Sequence, residues 1–74
     1  MNNENVFFNP GDAIASTHDF KEARRSAQII KSKKTIKNQL VIAKNKENGM
    51  YAIYYANQKI DNKNGVSHEI KEKL

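Results

Sequence analysis

The sequence predicts a single α+β domain: one amphipathic helix packed on an antiparallel β-hairpin or three-stranded β-meander, with a short carboxy-terminal helix. Three observations carry this. A capped apolar stripe of helical period begins at Phe20, and two strand-like runs, 37–44 and 50–56, flank a turn ending in Asn48-Gly49. The length of 74 residues admits one hydrophobic core, since a chain near this size buries only about 60% of its unfolded surface.

Residues 1–5, Met-Asn-Asn-Glu-Asn, offer no apolar anchor and are expected to be disordered. Val6-Phe7-Phe8 form one apolar cluster, followed by Asn9-Pro10-Gly11-Asp12. Proline then glycine at the centre suits a type II turn, with Gly11 taking the positive φ. Burying one phenylalanine is worth about 1.5–3 kcal/mol, so this cluster is expected to dock on the core; left exposed, Phe7 and Phe8 become anchors for a partner.

Asp19-Phe20-Lys21-Glu22 matches a capping box in which the Asp19 carboxylate accepts from the third helical amide and Glu22 reaches back. Phe20, Ala23, Ala27 and Ile30 follow at one-face spacing, which places the helix end near Lys31 to Lys33, before Lys34 falls on the stripe. Ile29 points away from that stripe.

The run around Leu40-Val41-Ile42-Ala43 and the run Met50-Tyr51-Ala52-Ile53-Tyr54-Tyr55-Ala56 read as a hairpin, because Asn-Gly accepts positive φ cheaply. Tyr51, Ile53 and Tyr55 share one face and Met50, Ala52, Tyr54 and Ala56 the other, so both faces have apolar character. Asp61-Asn62-Lys63-Asn64-Gly65 is a second turn signal, which would fold the chain near Ile60 back into Val66. In residues 67–74, Ser67 as a cap and the Ile70/Leu74 pair favour a short helix, although periodicity does not separate helix from strand over so few residues.

Composition excludes several functions. There is no cysteine, so disulfides, thiolate metal sites and cysteine nucleophiles are ruled out. His18-Asp19 and His68-Glu69 are adjacent pairs whose side chains diverge, so no local catalytic dyad or metal centre is expected. The three glycines, Gly11, Gly49 and Gly65, sit in isolated turns and build no phosphate cradle or dinucleotide fingerprint. No enzyme activity and no cofactor are expected. The longest apolar run is four residues, far below the roughly 18 of a membrane span, and the first residues lack the features of a secretory leader. A cytoplasmic location follows as the expectation. The 11 Lys, 10 Asn and 8 Ile fit an AT-rich coding sequence of bacterial, phage or mobile-element type.

The net charge of +5 is unevenly placed: residues 1–19 carry three acids and no Lys or Arg, whereas residues 20–46 carry nine cations against Glu22 alone. Such a block attracts phosphate, where each neutralised charge releases counterions. The sequence therefore points to a nucleic-acid-binding accessory protein, with Lys21, Arg24, Arg25, Lys31, Lys33, Lys34, Lys37, Lys44 and Lys46 as contacts and Tyr51 and Tyr55 as stacking platforms. The alternative is a protein-binding inhibitor or accessory module that docks on an acidic or apolar surface through Phe7, Phe8, Ile29 and Tyr54, or completes a thin core as a homodimer. The motifs identify no family.

Overall fold

A computed structural model of the chain describes residues 5–33, 39–61 and 63–74. Its elements are β1 (Asn5–Phe8), β2 (Ala15–Thr17), α1 (Phe20–Lys33), β3 (Leu40–Asn45), β4 (Tyr51–Tyr55) and β5 (Val66–Lys73). The strands form one sheet in the order β1-β5-β3-β4-β2, every neighbouring pair antiparallel. The α+β class and the single amphipathic helix agree with the sequence reading. The sheet, however, has five strands rather than two or three.

The helix begins as its cap dictates. The Asp19 carboxylate accepts from the Glu22 amide at 3.2 Å, and the Asp19 carbonyl takes the first helical bond from Ala23 at 3.0 Å. Glu22 does not reach back to complete the box; its carboxylate accepts from the Thr17 hydroxyl at 3.1 Å. Ala23 and Ala27 are fully buried, their small side chains bringing the helix close to β2, β3 and β4. The β3–β4 hairpin also forms as expected, with Gly49 at φ +75° in its turn. Buried Asn45 holds that turn, its side-chain oxygen accepting from the amides of Glu47 at 2.7 Å and Asn48 at 3.4 Å.

Strand alternation sorts the side chains into two cores. Leu40, Ile42, Ile53, Tyr51 and Tyr55 face α1. Val41, Ala43, Ala52 and Tyr54 face the opposite side, where they meet Phe8, Val6 and Ile70. Phe8 lies on β1, three strands from β4, a separation of about 14 Å in a flat sheet, yet its ring stacks on Tyr54 with centroids 4.1 Å apart and planes 4° apart. The sheet is therefore coiled into a partly closed barrel around these rings. The chain after β4 completes the curl: Ile60 bridges to Phe7 on the free edge of β1, its amide donating to the Phe7 carbonyl at 2.8 Å.

Four expectations are corrected. Pro10–Asp12 form a 3-10 turn capped by the Asn9 side chain, and Gly11 needs no positive φ, because consecutive bonds from Asp12 to Asn9 and from Ala13 to Pro10 continue the turn as 3-10 helix. Asn5, expected to be disordered, opens β1 opposite Glu69; residues 1–4 lie outside the described residues. No meander forms after β4, since β1 lies between Ile60 and β5. The carboxy-terminal helix is instead strand β5, paired on one edge with β1 and on the other with β3. Register shifts between Ile42 and Ala43, which face Glu72 and Ile70 respectively, so Lys71 is the extra residue of a bulge. Val66, His68 and Ile70 point into the barrel, whereas Glu72 and Leu74 come out on the helix side. The Ile70/Leu74 spacing that suggested a helix is this phase change.

The barrel core contains one titratable cluster. Tyr54 and His68 are buried, with Tyr54 Oη 3.0 Å from His68 Nε2 and His68 Nδ1 2.7 Å from the Val66 carbonyl. A carbonyl only accepts, so Nδ1 carries the proton and neutral Nε2 accepts from the Tyr54 hydroxyl. Burial pushes the Tyr54 phenol up to about 12, with the Asp12 carboxylate adding to the rise. Burial likewise holds His68 below its ordinary 6.5, against the opposing influences of the Val66 carbonyl and Glu47.

Two predictions follow from this packing. A Cβ at Gly65 would lie 2.8 Å from Ile60 Cγ1 and 3.0 Å from Phe7 Cβ, at the contact that closes the sheet. Gly65→Ala is expected to lower stability by about 1–3 kcal/mol in urea unfolding through overpacking; a loss no larger than that of Gly11→Ala would count against the closure. The lowered His68 value means the unfolded chain takes a proton first as pH falls below 6.5. His68 therefore contributes stability that is fully present above that pH and lost as pH falls through its folded-state value. His68→Gln should flatten this part of the stability–pH curve, and an unchanged slope in the variant would refute the assignment.

Candidate nucleic-acid interface

The outward side of α1 follows from its wheel. With Ala23 and Ala27 buried, Lys21, Arg24, Arg25, Gln28 and Lys31 fall on one exposed flank, while Glu22 and Lys33 fall on the other. Lys21, Arg24, Arg25 and Gln28 together line one open depression on the helix surface. Five cations against one carboxylate leave α1 with a net charge of +4.

Arg24 has a fixed partner. Its Nε lies 3.2 Å from a Glu72 carboxylate oxygen, the arginine side chain being 54% exposed. A pair this wet is worth about 0–1 kcal/mol, so it orients Arg24 toward β5 without immobilising it. Glu72 stands there only because the bulge at Lys71 turns it to the helix side, and no pattern in the sequence signalled that acid beside the cations. Lys71 itself pairs with Glu69 at 3.1 Å.

The remaining expected contacts are dispersed. Lys44 lies on the helix-facing side of β3, directly opposite Glu69, with its ammonium 5.9 Å from the centre of the Tyr51 ring. Lys46 is exposed beyond the end of β3, its amide donating to the Ser67 carbonyl at 3.0 Å. Lys34 and Lys37 lie outside the described residues. Tyr51 and Tyr55 are not freely open stacking platforms: both are partly buried against the core beneath α1, and Tyr51 meets Phe20 edge to face at 5.6 Å.

Of the residues expected to anchor a protein partner, Phe8 and Tyr54 are core residues stacked on each other. Phe7 is half-buried beside Ile60. Ile29 remains on the surface at 45% exposure. Among the described residues, no helix is long and apolar enough to cross a membrane. The chain matches no protein-family model, no curated protein and no solved structure.

Proposed function

We propose that this is a cytoplasmic, non-enzymatic accessory protein of bacterial, phage or mobile-element type that binds nucleic acid through phosphate contacts along the exposed flank of α1. The observation that carries this reading is the convergence of Lys21, Arg24 and Arg25 on one open depression, with Lys31 further along the same flank. From Lys21 to Lys31 the helix rises about 15 Å at 1.5 Å per residue. Over that distance along the duplex axis one strand carries about four phosphates, at 3.4 Å each. Because Tyr51 and Tyr55 are partly buried against the core beneath α1, the contacts are chiefly electrostatic and sequence-tolerant. The protein-docking alternative retains Ile29 but loses Phe8 and Tyr54 to the core.

Titrating a mixed-sequence duplex and a single strand by fluorescence anisotropy across a salt series tests this. The logarithm of affinity should fall with the logarithm of salt at a slope of about −0.9 per neutralised phosphate, without a preference for the single strand. Lys21→Ala combined with Arg25→Ala should reduce that slope by about 2. Glu72→Gln should tighten binding by removing a carboxylate from the flank and releasing Arg24. Absence of binding at low salt would sink the proposal, and a Glu72→Gln variant that binds no better would remove Arg24 from the interface.

A further inference from the structure

The coiled sheet leaves one end of its interior open. There a cleft of about 130 Å³ reaches down to Val6, Phe8, Val41 and Ile70, with Gln39, Lys59 and Lys73 at its rim. It exists because Ala56, immediately after β4, is too small to fill the space between the strands. Its amide donates to the Gln39 carbonyl at 2.8 Å, which fixes the chain across the mouth. Among the described residues, no carboxylate lines the cleft. Apolar cavities of roughly 150 Å³ accept benzene, so this volume suits a single small ring or a short branched alkyl group. The charge of the rim selects what such a body must carry.

We propose that the cleft is a binding site for a small apolar monoanion, an aryl or short-chain carboxylate, whose hydrocarbon body lies against Val6 and Ile70 while its carboxylate meets the Lys59 ammonium. This site lies at the open end of the barrel and is independent of the helix flank. Ligand pockets commonly combine an apolar lining with a few convergent polar groups in this way.

Benzoate titrated into the isotope-labelled full chain, followed by amide and methyl chemical shifts, provides the test. Saturable shifts are expected at Val41, Ala56 and Ile70 but not along α1. Benzyl alcohol should bind several-fold more weakly and benzylamine not at all. Lys59→Ala should weaken benzoate by about tenfold with the spectrum otherwise retained, and Ala56→Leu, which fills the cleft, should abolish the saturable shifts. Benzoate shifts that never saturate, equal binding of benzylamine, or undiminished affinity in Ala56→Leu would overturn the proposal.

Discussion

The stack of Phe8 on Tyr54 is the contact on which the architecture depends. A three-strand separation is incompatible with a 4.1 Å ring distance unless the sheet coils, so this one pair converts an open sheet into a partly closed barrel. His68 meets both rings edge-on, at centroid distances of 5.4 Å to Phe8 and 5.2 Å to Tyr54. The three rings fill the space that a chain of this size has too few aliphatic residues to fill. Polar atoms enter that core only because each is paired: the tyrosine hydroxyl with the imidazole and the imidazole with a backbone carbonyl. Among the described residues no buried side-chain polar atom is left without a partner, as a low-dielectric interior requires.

Coiling then determines what the other elements can do. Once the inner faces of β3 and β4 are occupied by the barrel, their outer faces need separate cover, and α1 supplies it through Ala23 and Ala27. The small domain thus has two thin cores on opposite sides of one sheet. The bulge at Lys71 serves both: upstream of it β5 contributes His68 and Ile70 to the barrel, and downstream of it Leu74, just past the end of β5, packs on the helix side. The same phase change carries Glu72 to Arg24. The electrostatic character of the helix flank is therefore decided partly by an irregularity in a strand that touches α1 little.

Elements governed by local physics were legible in the sequence. Asp19 and the stripe from Phe20 to Ile30 defined the helix, and Asn48-Gly49 between two apolar runs defined the hairpin, because capping and positive φ act over a few residues. The opposing faces of Tyr51 and Tyr54 were legible too, from alternation alone. What covers each face was not, because the partial burial of Tyr51 depends on α1 and the burial of Tyr54 depends on Phe8, 46 positions away in the chain. β1 and β2 are too short to announce themselves, and β5 hid its period-2 pattern of Val66, His68 and Ile70 behind a bulge. The candidate interface divides in the same way. Lys21, Arg24 and Arg25 follow from the wheel, whereas Glu72 beside them and the cleft rimmed by Lys59 arise from long-range pairing.

The two-core plan also explains where binding groups can sit. In a sheet covered on both sides, alternate side chains are committed to one core or the other, and few strand positions remain for recognition. Surface chemistry is displaced to the outer flank of α1 and to the ends of the barrel. The flank presents its cations around a shallow open depression along the helix, which suits an extended polyanion and gives little shape selectivity. The barrel mouth presents a concave apolar floor with Lys59 at its edge, which suits a single small anion and excludes a polymer by size. Both surfaces are basic, and the proposed readings give them different anions, a polymer for the open run of the helix and a small carboxylate for the barrel mouth, because one is extended and the other is a closed-in cleft.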